Sequence, residues 1–193
     1  MVTAPRPAVF LDRDGVLSIP EFRDGRSYAA RRLADFRLYD DAAESVRRLK
    51  DAGFAVVVVT NQPDVGNGLV ARGEVEAMHR QIESSLSVDR IEVCFHAHAD
   101  NCACRKPKPG MLLSAAAALG IDLGRSVMVG DRNSDMAAGK AAGCATVLID
   151  RGYRDERPRQ ADSVVLTLAE ATDIILAQRI AWPRDAAGKG ERA

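Results

Sequence analysis

The chain is expected to fold as an α/β domain around a parallel sheet, and three observations carry that expectation. Short apolar runs alternate with segments of helical spacing along almost the whole length. One run, Val56-Val57-Val58-Val59, is apolar without alternation, as in a parallel strand covered on both faces. Several of the runs end abruptly in polar residues, and sites in parallel sheets lie beyond the carboxyl ends of the strands.

In order, strands are predicted over Ala8 to Leu11, Ala55 to Thr60, Ile91 to Phe95, Ser126 to Val129, Ala145 to Ile149 and Ser163 to Leu166. Between the first two, Ala42, Val46 and Leu49 fall at helical spacing, closed by Gly53. Val75, Met78, Ile82 and Leu86 form a second stripe, on which His79 reads as a surface residue. Met111 to Leu119 is a third helix, stopped by Gly120, and Asp135 to Ala142 a fourth, stopped by Gly143. Leu168 to Ile180 is the fifth. Strands that alternate with helices imply right-handed crossovers within one sheet. One domain over residues 1–182 is expected, followed by a disordered tail at 183–193.

The 193 residues can bury a sizeable core, and 27 basic residues balance 27 acidic ones. That neutrality, without a basic stripe, argues against a nucleic-acid partner. The first residues lack the apolar run of a signal peptide, and no stretch approaches the ~20 apolar residues of a membrane span. A cytoplasmic, reducing compartment is expected, and there three clustered cysteines suggest a metal more than disulfides.

Four segments carry chemistry. In Val9-Phe10-Leu11-Asp12-Arg13-Asp14-Gly15 a strand delivers two carboxylates one residue apart, on the same side if the strand stays extended. Like charges that close are costly unless a cation or a proton intervenes, which suits a Mg²⁺ site with a carboxylate nucleophile. A plain Asp-Gly turn is the competing reading. In Thr60-Asn61-Gln62 a hydroxyl and amides stand at a strand end, where they can donate to a phosphoryl oxygen. Arg105-Lys106-Pro107-Lys108-Pro109 is a cationic loop stiffened by prolines, preorganised for an anion. Val129-Gly130-Asp131-Arg132 ends another strand, and Asp131 can complete the cation site begun by Asp12. Asp135 reads either as a supporting carboxylate or as a first-turn helix residue favoured by the macrodipole.

A fifth segment, Cys94-x-His96-x-His98…Cys102-x-Cys104, fits a closed Cys₃His zinc site. His96 and His98 compete for the nitrogen ligand, and the Cys-x-His spacing favours His96. Cys144, after Gly143, reads as a small buried residue.

In order and content the four segments resemble the haloacid dehalogenase superfamily of aspartate-nucleophile phosphatases, over about Ala8 to Asp150. The resemblance implies a three-layer α/β/α, Rossmann-like parallel sheet. It makes Asp12 the nucleophile and Asp14 the general acid and base. Thr60 and Lys106 then bind phosphoryl oxygens. Mg²⁺ is held by Asp12, Asp131 and Asp14, the last through its backbone carbonyl. The zinc loop narrows the resemblance to the subgroup containing D-glycero-D-manno-heptose 1,7-bisphosphate phosphatases and histidinol phosphatases. That subgroup has no large cap domain, and its zinc, here Cys94, His96, Cys102 and Cys104, orders the loop beside the active site. It also gives Arg105 and Arg132 the task of contacting substrate. Asn61 and Gln62 are further candidates for substrate contact, as is Arg23 from the loop after Asp14.

The chain departs from the subgroup where Pro63-Asp64-Val65-Gly66-Asn67 follows Gln62, with Asn67 in place of an expected arginine. The resulting expectation is a monomeric Mg²⁺-dependent phosphatase of a small sugar phosphate, foremost the heptose bisphosphate. Histidinol-phosphate or nucleic-acid-end phosphatase is the alternative within enzymes. A phospho-accepting or zinc-held interaction module is the alternative outside them. An acid/base two residues after the nucleophile argues against an acceptor that must keep its phosphate.

Overall fold

The all-valine strand lies next to the centre of the sheet. The computed structural model describes residues 5–23, 26–153 and 161–178. Six strands, β1 (Ala8–Leu11), β4 (Ala55–Asn61), β5 (Arg90–Cys94), β6 (Val127–Gly130), β7 (Ala145–Ile149) and β8 (Ser163–Val165), form one sheet in the order β5-β4-β1-β6-β7-β8. Every pairing in it is parallel. The remaining two strands, β2 (Glu21–Arg23) and β3 (Arg26–Tyr28), make an antiparallel hairpin off the sheet. Helices α1 (Ala42–Asp51), α3 (Arg72–Ser85) and α6 (Leu168–Leu176) contribute to one apolar layer, and α4 (Gly110–Leu119) and α5 (Asn133–Ala142) to the other. A single short turn, α2 (Pro63–Gly66), follows β4.

The strand side chains divide between the two layers by the alternation of a pleated strand. Val9, Leu11, Val56, Val58, Val127 and Val129 enter the first cluster, and Ala8, Phe10, Val57, Val59 and Met128 the second. All are fully buried. Each large one contributes roughly 1.5–3 kcal/mol by leaving water, which is why β1, β4 and β6 tolerate no polar residue until their ends.

Each predicted strand is present to within a residue. The fifth helix is shorter than predicted: it stops at Leu176, and Gln178 has the left-handed φ of 52° that ends a helix. Its predicted end at Ile180 and the predicted tail at 183–193 lie outside the described residues. The hairpin was not predicted, because three-residue strands leave no apolar run to read. His79 is buried, not on the surface, because α3 covers Arg13 and turns the imidazole inward against it. Cys144 is buried as expected.

The strand order reverses beside β1: the chain leaves it toward β4 and β5, then returns to its other side as β6. Asp12, Thr60 and Asp131 follow or end the three adjacent strands β1, β4 and β6, so the topology brings them to one edge. Among the described residues, the insertions near that edge are the hairpin and α2, far short of a cap domain.

Candidate active site

Asp12 continues the β1 ladder, its N–H donating to Val129 O at 3.0 Å. Immediately after it the chain folds back, with Leu17 N and Ser18 N both donating to Arg13 O. Gly15 makes this turn at φ +92°, and a Cβ there would lie 2.0 Å from Asp131 Oδ2. Glycine is therefore required twice over, for the backbone angle and for the approach of Asp131.

Carboxylate oxygens of Asp12, Asp131 and Asp135 lie within 4.8 Å of one another, and all three residues are buried. Lys106, also buried, reaches into this group. Its Nζ sits 2.8 Å from Asp12 Oδ1, 2.7 Å from Asp135 Oδ1 and 2.7 Å from Val59 O. Three carboxylates against one ammonium leave two negative charges uncompensated. Burial pushes Asp12 up to about 6, with Lys106 pulling against it and Asp135 and Asp14 adding to it. Burial, then the charges of Asp12 and Asp135, also hold Asp131 well above the usual carboxylate range. Asp131 Oδ1 is buried without a hydrogen-bond partner. Hard oxygen donors, excess negative charge and an unpartnered carboxylate oxygen fit a hard divalent cation. Asp135 is thus both of the things the sequence allowed: it accepts from Arg132 N at 3.0 Å as the first-turn acid of α5, and it braces Lys106.

Asp14 turns its carboxylate elsewhere. Arg13 Nε and Nη2 donate to it at 3.0 and 3.1 Å, Ser18 Oγ at 3.1 Å and Gln62 Nε2 at 2.8 Å. Arg13 is fully buried, backed by the Phe36 ring at 5.4 Å and by His79 Nε2 at 3.4 Å. Burial, reinforced by the Arg13 charge, lowers the His79 imidazole to about 4. Gln62 also donates to Thr60 Oγ1 at 2.9 Å. Thr60 is buried beneath it, and Asn61 and Gln62, not Thr60, line the cleft. Asn61 is turned to the Lys106 backbone, donating to its carbonyl and accepting from its N–H, each at 3.1 Å. This amide, for which the sequence suggested substrate contact, lines the cleft and also sets the lysine loop.

The cleft over this floor has a volume of about 540 Å³. Arg105 and Arg132 line it, with His98, Asn67 and Ser27. Arg132 Nη2 donates to Ser27 O at 2.9 Å and to Ser27 Oγ at 2.5 Å, which ties the hairpin to α5. The predicted rim residue Arg23 closes β2, and its side chain lies outside the described part of the structure.

The cysteine loop borders the same cleft. Cys94 Sγ lies 3.6 Å from His96 Nδ1 and 3.5 Å from Cys102 Sγ; Cys104 Sγ lies 3.2 Å from His96 Nδ1 and 3.4 Å from Cys102 Sγ. A tetrahedron with Zn–S bonds of ~2.3 Å has edges of roughly 3.7 Å. The four donors therefore fit a zinc ion, with His96 supplying the nitrogen. His98 is not part of this group: its Nε2 stands 2.7 Å from Arg105 Nη2. Sequence reasoning missed the roles of Arg13, His98 and Tyr153: the first two stand inside motif segments that were read for other residues or another ligand, and Tyr153 lies in none. Only the oddity of an arginine between two aspartates marked the first.

The model of the HAD-hyrolase-like family matches residues 103–171. Among curated proteins, the chain is 36% identical over 188 residues to the D-glycero-beta-D-manno-heptose-1,7-bisphosphate 7-phosphatase of Escherichia coli (strain K12), covering 90% of this chain and 95% of that one. It is 37% identical over 145 residues to the protein of the same name from Helicobacter pylori (strain J99), covering 72% and 79%. Among solved structures, the D,D-heptose 1.7-bisphosphate phosphatase from B. bronchiseptica, complexed with magnesium and phosphate, superposes with a TM-score of 0.76 at 30% identity, over 89% of this chain and 99% of that one.

Proposed function

This chain belongs to the haloacid dehalogenase-like phosphatases, in the subgroup of the heptose bisphosphate enzymes, and we propose that it removes one phosphate from a small bisphosphorylated sugar, foremost the 7-phosphate of D-glycero-β-D-manno-heptose 1,7-bisphosphate. One observation carries the substrate reading. The cavity lined by Asp12 and Lys106 is lined also by Arg105 and Arg132, and this supports a second phosphate held by their guanidinium groups.

Asp12 is the nucleophile. Its carboxylate attacks phosphorus, the bond from phosphorus to the sugar oxygen breaks, and Asp14 gives that oxygen a proton. Asp14 then takes a proton from water as the water attacks the phosphoaspartate, which releases inorganic phosphate and regenerates Asp12. Lys106 neutralises and orients the phosphoryl oxygens, and the Thr60 hydroxyl, which accepts from Gln62 just below the cleft, completes their floor. Asp12, Asp131 and the backbone carbonyl of Asp14 would hold Mg²⁺, which when bound offsets the negative charge gathered there. Asn61 fixes the lysine loop and Gln62 fixes Asp14. Arg105 and Arg132, whose forks match phosphate oxygens, hold the phosphate that is not cleaved. Cys94, His96, Cys102 and Cys104 hold Zn²⁺, which takes no part in the chemistry. Residues 1–182 act as one domain, and the enzyme is a cytoplasmic monomer without a nucleic-acid or membrane partner. No helix among the described residues is long and apolar enough to cross a membrane.

A phosphate-release panel tests this. Heptose 1,7-bisphosphate should exceed heptose 7-phosphate, histidinol phosphate and nucleotides in kcat/KM by tenfold or more, about 1.4 kcal/mol of transition-state binding. Histidinol phosphate or a nucleotide ahead by that margin would overturn the sugar reading and leave the phosphatase assignment standing.

A further inference from the structure

Tyr153 lies in no motif, 22 positions beyond Asp131, yet its hydroxyl donates to Asp131 Oδ2 at 2.7 Å. The other oxygen, Oδ1, is buried without a partner. The phenol is fixed on several sides. Its ring packs on Phe22, with centroids 5.9 Å apart at 54°, and carries the Arg132 guanidinium 5.6 Å from its centroid. The hydroxyl rests above Gly15, where a Cβ would come within 2.9 Å of it.

Mg²⁺ demands near-octahedral geometry from single oxygen donors. A carboxylate free to rotate can offer both oxygens to one ion, or turn toward the nearby Arg132. We propose that Tyr153 is the positioning residue of the cation site: by occupying Asp131 Oδ2 it fixes the carboxylate plane and reserves Oδ1 for the metal. The inference rests on the reading of Asp12 and Asp131 as Mg²⁺ ligands. It goes beyond that reading by assigning control of the site to a side chain that also touches the substrate hairpin through Phe22 and Arg132. Groups that orient a metal ligand typically account for 10–100-fold in metal affinity.

The test is a calorimetric Mg²⁺ titration of the zinc-loaded wild type, Tyr153→Phe and Tyr153→Ala, paired with KM for the sugar bisphosphate at saturating Mg²⁺. Tyr153→Phe keeps the ring and removes only the donor. It should bind Mg²⁺ at least tenfold more weakly with KM within about twofold of wild type. Tyr153→Ala should lose metal affinity and raise KM as well, because Arg132 and Phe22 lose their platform. Mg²⁺ affinity in Tyr153→Phe within twofold of wild type would overturn the inference, as would a KM raised in parallel with the metal constant, which would mean general disorder of the site. A wild type that binds no Mg²⁺ would refute the metal reading itself, and the positioning role with it.

Discussion

Asp14 is built as an acceptor. Arg13, Ser18 and Gln62 direct four hydrogen bonds at its two oxygens. Asp14→Asn should fold normally and lose ~10²–10⁴-fold in kcat, the usual weight of general acid–base catalysis. Asp12→Asn should also fold but show no turnover, since an amide is a poor nucleophile. Steady-state phosphate release with a thermal melt of each variant checks both; wild-type kcat in Asp14→Asn would remove its role. Little of this detail was legible beforehand. The spacing of Asp12 and Asp14 suggested two carboxylates facing one way, but Gly15 turns the chain so soon that Asp12 joins Asp131 while Asp14 faces Arg13.

At the scale of elements, the cysteine loop and the lysine loop are one continuous segment, since Cys104 adjoins Arg105. The turn α2 packs beneath it so closely that a Cβ on Gly66 would stand 2.5 Å from Phe95 O. A zinc ion on Cys94, His96, Cys102 and Cys104 would thus fix the stem from which Arg105 and Lys106 project. One zinc per chain should copurify. His96→Ala should lose it, while His98→Ala should retain it and raise KM for the bisphosphate, because Arg105 loses the ring nitrogen at 2.7 Å. Zinc lost from His98→Ala and kept by His96→Ala would reverse the assignment. Chelation should lower both Tm and activity, as metal binding and loop order are one equilibrium. The elements themselves were largely readable, because burial on both faces writes an apolar run into β1, β4, β6 and β7. The hairpin and α2 were not, because each is set by contacts distant in sequence. Arg132 reaching Ser27 is such a contact. Pro63 is the first residue of α2, where its missing backbone donor is not needed.

For the molecule as a whole, the buried acid cluster costs stability when no cation compensates it. Asp12 titrates near 3.8 when unfolded and about 6 when folded. Across that window only the folded state keeps the proton, so the metal-free protein loses stability as pH rises. Asp131 shifts in the same direction. His79 opposes them: it falls from 6.5 to about 4, so its contribution grows with pH over that interval. Mg²⁺ separates the two, because it binds the ionised carboxylates and does not touch His79. The gain in Tm on adding Mg²⁺ should be small near pH ~5 and substantially larger near pH ~7.5. A gain of equal size at both would mean that the ion acts elsewhere.

The covalent mechanism proposed above requires Asp12 to be the group that receives the phosphate. Two successive displacements at phosphorus, first by Asp12 and then by water, restore the original handedness; a single attack by water reverses it. Hydrolysis of a sugar thiophosphate made chiral at phosphorus with oxygen isotopes reads this directly. With Asp12 as nucleophile the released thiophosphate should keep its configuration, and inversion would contradict that role.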